Sequence, residues 1–331
     1  MMPDIGPKYG ANAGPETGFE RWTHPAVILV ATDLNDLDRL MPFALSQASD
    51  TGARLVLLHV LASGGNMAVD AVGMPYYDPA GALEFAAKTL EPWCAIARQR
   101  NITCDALVRE GNAAQQIAAS VRQFQADRIL LGTRSRGKVS KLLLGSVAEQ
   151  VLRSVNLPVI TVGPEAHLQV GSSDQEKVVL HATTLSEASR PSAALACRIA
   201  ASQGARLVLL HVLPPLVEME RKGLSTGLDS TAMHELRVLA TETSTSNENC
   251  GARVEPCVAH GNPSIEILAA SAELHASLIV LGATQRAALQ NLTRDRTIYR
   301  VLAHARCPVL TLRESAAPPV AGDTERLVFH F

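Results

Sequence analysis

The chain is poor in aromatic residues and has almost no net charge. Only 4% of its 331 residues are aromatic, and 30 lysines and arginines stand against 32 aspartates and glutamates. Proteins that bind nucleic acid through its phosphates carry a basic excess, so the composition argues against nucleic acid as a partner. The apolar content of 47%, rich in alanine, leucine and valine, is typical of an α/β protein.

Long apolar runs are missing as well. No stretch approaches the roughly 18 apolar residues that cross a membrane. The segment from Met1 to Glu20 has neither the basic start nor the apolar run of a signal peptide. The six cysteines form no CxxC pair and no spacing that suits a metal. We therefore expect a cytoplasmic protein with no membrane partner and no bound structural metal, whose cysteines are small buried thiols.

What the chain does contain is an internal repeat. The ten residues Gly52–Leu61 recur letter for letter as Gly204–Leu213. Other segments recur at a similar offset: Val27–Asp33 as Val178–Thr184, Ile129–Gly132 as Ile279–Gly282, and Pro158–Thr161 as Pro308–Thr311. A nearly constant offset of about 150 residues predicts two copies of one domain.

Each copy alternates buried strands with amphipathic helices. In the first copy the predicted strands are Ala26–Ala31, Leu55–Leu61, Ile102–Arg109, Arg128–Gly132 and Pro158–Val162. The predicted helices are Leu34–Ser49, Ala80–Arg100, Asn112–Gln125 and Leu143–Ser154, and Ala62–Pro79 is predicted to be a long loop. The fold class is therefore α/β, with two tandem doubly wound parallel sheets of five strands each.

Composition also divides the chain. Glycine, proline and serine cluster at the ends and in the middle, where periodicity is lost. We expect a flexible arm at 1–24, a first domain at 25–163, a linker at 164–177, a second domain at 178–313 and a tail at 314–331.

Open parallel sheets bind ligands outside the carboxyl ends of their strands, where the strand order reverses. In the first copy Asp33 follows the first strand, and its carboxylate suits ribose hydroxyls. The fourth strand ends at Gly132, and Gly145-Ser146 begins a helix whose N-terminus favours anions. The loop between them is basic, with Arg134, Arg136, Lys138 and Lys141. These features predict a site for a nucleotide or another phosphoanion.

The spacing Gly132-x-x-Ser135, then nine residues, then Gly145-Ser146 resembles the signature of the universal stress protein family, Gly-x-x-Gly-(nine residues)-Gly-Ser/Thr. The segments Ala31–Asp33 and Leu57–Val60 also match that family's first two strand ends. The resemblance implies a tandem universal stress protein with Rossmann-like domains. It further implies that the last strands of the two copies pair across a pseudo-twofold axis, and it leaves a homodimer of chains open.

The same resemblance implies ATP as the ligand, allows Mg²⁺ with its phosphates, and suggests a stress-response regulator that acts on a protein partner. Ala31, Thr32 and Asp33 would line the adenine and ribose, and the backbone of Val60 would reach the adenine. Gly132, Arg134, Ser135, Gly145, Ser146 and Val147 would hold the phosphates.

The motif has departures in both copies. Ser135 stands where the signature has its second glycine, and its β-carbon narrows the phosphate site. The second copy replaces Asp33 by Thr184, Ser135 by Gln285, and Gly145-Ser146 by Asp295-Arg296. An aspartate at a helix start repels phosphate. We therefore expect nucleotide in the first domain only, with the second as a structural or regulatory partner.

Two other functions stay open. A very slow ATPase needs a group that orients water as well as a cation for the developing charge. Arg134 or Arg136 suits the second task, but the sequence identifies no residue for the first, so no catalytic residue is assigned. If Ser135 closes the site, the chain is a nucleotide-independent scaffold. His59 and His211, at equal places in the repeated segment, are predicted to be structural, with one ring nitrogen bonded.

Overall fold

A computed structural model describes residues 16–62, 67–69, 75–133, 144–167, 176–215, 227–245, 251–283 and 296–313. The first copy comprises α1 Glu16–Thr23, β1 Val27–Thr32, α2 Leu37–Thr51, β2 Arg54–Leu61, β3 Met67–Val69, β4 Pro75–Tyr77, α3 Pro79–Gln99, β5 Cys104–Glu110, α4 Ala113–Phe124, β6 Arg128–Gly132, α5 Ser146–Ser154 and β7 Val159–Val162. The second comprises β8 Val178–Ala182, α6 Arg190–Ser202, β9 Arg206–Leu213, α7 Leu228–Thr245, β10 Val254–His260, α8 Pro263–Glu273, β11 Leu278–Ala283, α9 Arg296–His304 and β12 Val309–Arg313.

Ten of the strands form one sheet in the order β10-β9-β8-β11-β12-β7-β6-β1-β2-β5. The five strands that each copy contributes to this sheet are parallel to one another. The copies meet where β7 and β12 pair antiparallel, with Ile160 opposite Leu310. The predicted fold class and the predicted pairing of the last strands are both confirmed.

The sheet is covered on both faces, as its apolar strands require. Along β1, Ile28 and Val30 belong to one buried cluster with side chains of α2 and α3, whereas Leu29 belongs to a second cluster with side chains of α4 and α5. All three side chains are at most 1% exposed. Because successive side chains of a strand point to opposite faces, a strand covered on both sides is apolar at every position.

The segment Ala62–Pro79, predicted to be a loop, contains β3 and β4. These strands pair antiparallel as a separate two-stranded sheet. Each has only three residues, so the period of two that marks a strand has no room to show in the sequence.

Part of the predicted flexible arm is helical. Trp22 of α1 is 2% exposed, and the ring of Phe19 packs edge-on against it at 5.6 Å between centroids. The guanidinium of Arg198, in α6 of the second copy, lies over the Phe19 ring at 5.7 Å. The expectation of an arm without structure is therefore wrong for Glu16–Thr23, which connect the first copy to the second.

Arg128, the first residue of β6, holds α1 at the N-terminal end of this strand. This side chain is 2% exposed, and its guanidinium donates to the Trp22 carbonyl and to the side-chain oxygen of Gln47. Burial lowers the pKa of Arg128 to about 10. Its neighbour Asp127 forms an ion pair with Arg21 of α1 at 2.6 Å. The buried guanidinium of Arg128 and the buried carboxylate of Asp127 thus both have partners in α1.

The cysteines follow the prediction only in part. Cys94, Cys104 and Cys307 are buried thiols, and Cys257 is a half-buried one. Cys197 is disulfide-bonded, so the expectation of a free thiol is wrong there. Within the described ranges, no helix is long and apolar enough to cross a membrane.

Candidate functional site

The strand order reverses between β1 and β6. The chain runs outward from β1 through β2 to β5 and then returns to β6, on the other side of β1. Ala31 pairs with Leu131 across this boundary, and Thr32 pairs with His59 of β2, one residue before Val60. The structure therefore brings Ala31, Thr32, Asp33, Val60 and Gly132 to the same edge of the sheet, where α/β proteins bind ligands.

A tight turn after β1 presents the acidic residues. The hydroxyl of Thr32 accepts from the Leu34 backbone N–H at 2.9 Å and donates to Oδ1 of Asp36 at 2.6 Å. Leu34 has φ of 71°, a left-handed conformation that costs an L-residue about 1 kcal/mol. The turn after β1 is therefore a site of local backbone strain.

One oxygen of Asp33 has no partner. Its Oδ1 accepts from the Asn35 backbone N–H at 2.9 Å, and its carbonyl accepts from the Asn35 amide at 3.2 Å. Its Oδ2 is buried and has no hydrogen-bond partner among the described residues. Buried carboxylate oxygens are normally bonded, so Asp33 is held in place with one acceptor open for a ligand.

Asp36 is a second carboxylate at this edge, only 6% exposed. Burial, together with the neighbouring Asp33, raises its pKa to about 6 against the opposing effects of the Thr32 hydroxyl and Arg39. Asp36 therefore changes charge slightly below neutral pH, at the place where the resemblance puts a ligand.

Gly132 is required by its contact with Asp36. A β-carbon at Gly132 would lie 2.2 Å from Oδ2 of Asp36 and 3.6 Å from the Arg39 guanidinium. No side chain fits at the end of β6 while Asp36 keeps its position. The glycine lets the end of β6 lie close to Asp36 at the start of α2, which is a different role from contact with phosphate.

The N-terminus of α5 lies beside the end of β6, because the Gly145 N–H donates to the Thr133 carbonyl at 2.8 Å. No side chain caps this helix start, and Ser146 and Val147 are exposed. The Thr133 hydroxyl is buried and lacks a partner within the described part of the chain. Backbone N–H groups at an uncapped helix start and a spare hydroxyl suit an anion.

Two predicted phosphate ligands, Arg134 and Ser135, lie outside the described residues. The same holds for the other basic residues of the loop, Arg136, Lys138 and Lys141. Their assignment stays a prediction.

Sequence reasoning missed Asp36 and Thr133. It started the helix at Leu34, which placed Asp36 inside it, although an aspartate just before an apolar helical stripe is a common N-cap. Thr133 gave no such signal, because its importance depends on burial and on an unpartnered hydroxyl.

The second copy keeps the turn but has no open, buried carboxylate among the described residues. Leu185 repeats the left-handed conformation of Leu34 with φ of 60°. Thr184, in place of Asp33, is exposed, and its hydroxyl pairs with that of Ser186 at 3.0 Å. Glu187, in place of Asp36, forms an ion pair with Arg190 at 2.6 Å. Gln285 and Asp295 lie outside the described residues. The turn thus belongs to the fold, while the open carboxylate is a property of the first copy.

His59 and His211 have the same role in the two copies. Nδ1 of His59 bonds the Thr32 carbonyl, and Nδ1 of His211 bonds the Thr183 carbonyl, both at 2.9 Å. The predicted structural role is confirmed. In the described ranges, no group of three histidine, cysteine or acidic side chains is placed to hold a metal ion.

Solved structures share this architecture. A universal stress protein from Archaeoglobus fulgidus has a TM-score of 0.65 at 21% identity and covers 88% of this chain and 97% of its own. A protein from Pseudomonas aeruginosa PAO1, described as functionally unknown, has a TM-score of 0.59 at 18% identity, covering 88% of this chain and 94% of its own.

Sequence comparison gives the family. A universal stress protein from Thermus aquaticus is 32% identical over 138 residues, which is 41% of this chain and 96% of that protein. The profile of the Universal stress protein family matches residues 26–163 and again 176–313. The chain therefore belongs to the universal stress protein family and contains two of its domains in tandem.

Proposed function

We propose that this protein is a nucleotide-binding regulator of a stress response, and that it binds ATP at the strand-end edge of its first domain. The observation that carries the proposal is the buried, unpartnered Oδ2 of Asp33. A buried acceptor without a donor costs about 1–3 kcal/mol. A ribose hydroxyl would supply the missing donor, so nucleotide binding would recover this free energy.

The surrounding groups divide by chemistry. Ala31, Thr32 and the backbone at Val60 would border the base and sugar beside Asp33. Across the β1–β6 boundary, Gly132, the Thr133 hydroxyl and the N-terminus of α5, including Gly145, Ser146 and Val147, would receive the phosphates with Arg134 and Ser135. Mg²⁺ would arrive with the nucleotide, since its preferred partners are phosphate oxygens and water.

The second domain would act as a partner without its own nucleotide. Its strand-end turn offers the Thr184 hydroxyl, which is already bonded to Ser186, and an exposed glutamate paired with Arg190. Neither leaves an open buried acceptor. Its contribution would be the sheet pairing through β12 and a surface for the protein partner.

Replacing Asp33 with asparagine is expected to weaken ATP binding about tenfold or more, because hydrogen bonds to a charged acceptor contribute roughly 1.5–3 kcal/mol. The measurement is a calorimetric titration of the full chain with Mg-ATP. We expect one site per chain in the unsubstituted protein. Two solved family members are described as complexes with cAMP and with dAMP, and both nucleotides belong in the titration series.

Thr184→Ala provides the matched control, since it changes the equivalent position of the second domain. It should leave affinity and stoichiometry unchanged. Equal affinity for ATP in the unsubstituted protein and in Asp33→Asn would rule out the proposed ribose contact. An absence of heat with every nucleotide would favour the nucleotide-independent scaffold.

A very slow ATPase is the second candidate, and Asp36 is the observation that favours it. A carboxylate with a pKa of about 6 can accept a proton from an attacking water near neutral pH. Asp36 would then be the water-orienting group that the sequence did not reveal. Single-turnover formation of ADP that is lost in Asp36→Asn, while ATP still binds, would identify this activity.

ATP binding is expected to tighten as the pH falls from 7.5 to 5.5. Ionised Asp36 repels phosphate, and protonation near its pKa of about 6 removes that charge; the charged groups that face Asp36 are Asp33 and Arg39. Asp36→Asn should bind about fivefold more tightly at pH 7.5 and nearly equally at pH 5.5, for a repulsion on the order of 1 kcal/mol. Comparison with this variant cancels the titration of ATP itself. An unchanged pH profile in Asp36→Asn would show that the phosphates lie elsewhere.

A further inference from the structure

Two cysteines of the first domain are in unusually close contact. Sγ of Cys94, in α3, lies 3.0 Å from Sγ of Cys104, the first residue of β5. Even carbon atoms rest about 3.5–4.0 Å apart when they are not bonded. The Cys94 and Cys104 side chains are 0% and 2% exposed respectively, so neither thiol is in contact with solvent.

The backbone holds this contact. After α3 the chain reverses through Asn101, which has φ of 60°, and the Ile102 N–H donates back to the Ala97 carbonyl at 3.0 Å. The guanidinium of Arg98 donates to the Cys104 carbonyl at 3.2 Å. The two sulfurs are therefore kept together by the α3–β5 connection, and closing a bond between them requires little movement.

We propose that Cys94 and Cys104 form a redox-active dithiol that hydrogen peroxide converts to an intrachain disulfide. This role is independent of nucleotide binding. Only ten positions separate the two residues in sequence, so the disulfide would tie the end of α3 to the start of the edge strand β5.

The two thiols are not equivalent. The hydrogen bond from Cys104 lowers the pKa of the Cys94 thiol, and the same contact, with burial, raises the pKa of Cys104. Cys94 is thus the nucleophile, because the thiolate is the reactive form. Cys104 is the resolving thiol, which attacks in the second step.

The reaction balances with one equivalent of peroxide. The Cys94 thiolate attacks one oxygen, the O–O bond breaks, and the released hydroxide takes up the proton that Cys94 lost, giving water and a sulfenic acid. The Cys104 sulfur then attacks the Cys94 sulfur and the S–O bond breaks. The second hydroxide leaves with the Cys104 proton as water. Two thiols lose two electrons, and the peroxide is reduced to two waters.

Access to the buried pair requires only local opening. β5 is the outermost strand on its side of the sheet, so displacement of the end of α3 exposes both sulfurs without disturbing the centre. The other free thiols provide an internal comparison. Cys257 is half-buried and Cys307 is buried, burial raises the pKa of each, and neither contacts a sulfur in the described ranges.

The test is peptide mapping of the folded full-length chain after treatment with equimolar hydrogen peroxide. Free thiols are blocked, and trypsin then separates Cys94 in peptide 89–98 from Cys104 in peptide 101–109. We expect these peptides to be cross-linked, two hydrogens lighter than their sum, at a rate at least tenfold above the oxidation of Cys257. In Cys104→Ser, dimedone should label Cys94 as its sulfenic acid, whereas Cys94→Ser should leave Cys104 unlabelled.

Opposite results would overturn the proposal. If Cys94 and Cys104 are both recovered as blocked thiols after Cys257 has been oxidised, the contact is a packing contact. If dimedone labels Cys104 in Cys94→Ser but not Cys94 in Cys104→Ser, the assigned roles are wrong. The wild-type mapping needs no substitution, so it decides the main point even if a serine variant folds poorly.

Discussion

A chain without residues 1–24 is expected to lose about 5 kcal/mol of unfolding free energy, since removing one large buried aromatic costs roughly 3–5 kcal/mol. The deletion removes Trp22, which is 2% exposed. It also removes the carbonyl that Arg128 bonds and the Arg21 guanidinium that pairs with Asp127. The measurement is urea unfolding of the deleted and the full-length chain.

The deletion also leaves the buried Arg128 guanidinium without its hydrogen-bond acceptor in α1, the Trp22 carbonyl. A buried cation without its partner costs more than an apolar residue in the same place, and breaking a buried pair typically costs 3–5 kcal/mol. The position equivalent to Arg128 in the second copy is Leu278. Adding Arg128→Leu to the deleted chain is therefore expected to restore about 2 kcal/mol.

Arg128→Leu in the full-length chain is the matched control and should change stability little, because the Trp22 carbonyl loses a donor while the buried charge is also removed. If Arg128→Leu destabilises the deleted chain as much as the full-length chain, the buried guanidinium does not depend on α1. If the deletion itself has no effect, α1 contributes nothing to stability.

Replacing His181 with valine is expected to stabilise the protein most strongly in acid. His181 is 0% exposed, its Nδ1–H donates to the Val280 carbonyl at 3.1 Å, and its Nε2 has no partner in the described part of the chain. Burial lowers its pKa to about 4 from the ordinary histidine value of 6.5. The equivalent residue in the first copy is Val30, so valine suits this place in the fold.

The sign follows from proton binding. Below pH 6.5 the unfolded chain binds a proton at His181 that the folded chain does not bind until about pH 4. The stability contributed by the neutral, buried ring is therefore complete above pH 6.5 and is lost as the pH falls toward 4. His181→Val should gain about 2 kcal/mol more at pH 5 than at pH 7.5.

Asp36 has the opposite dependence. Its folded pKa of about 6 lies above the ordinary aspartate value of 3.8, so its contribution to stability is complete below pH 3.8 and is lost as the pH rises through 6. Between pH 4 and 6 the two residues offset each other. Urea midpoints across this range should fall with rising pH in His181→Val and rise in Asp36→Asn. Parallel profiles for both variants and the unsubstituted protein would refute this account.

Much of the fold could be predicted from the sequence because its signals are local. Continuous apolar runs such as Val27–Ala31 mark strands covered on both faces, and Asn112 marks the start of α4, where its side chain accepts from the Gln115 N–H. The repeat then requires the second copy to fold like the first. Pairing of β7 with β12 followed from the family resemblance together with the exposed edge each copy would otherwise have.

The candidate site could be predicted only where a residue type, at its place in the fold, has a single common role. Asp33, at a strand end, stood out. Asp36 and Thr133 did not, because their significance depends on what lies across the β1–β6 boundary. Arg128 is a comparable case: its partner Trp22 is 106 positions away in sequence, and no local pattern connects an arginine in a strand with a tryptophan near the start of the chain.

The antiparallel pairing of β7 with β12 has a consequence for how the two halves can evolve. In a dimer of separate chains, a substitution appears in both subunits, and the association depends on concentration. Here the connecting segment makes the association unimolecular, at a high effective concentration. One half can therefore lose a ligand-binding carboxylate, as the second copy has done at Thr184, while every molecule still contains one half of each kind.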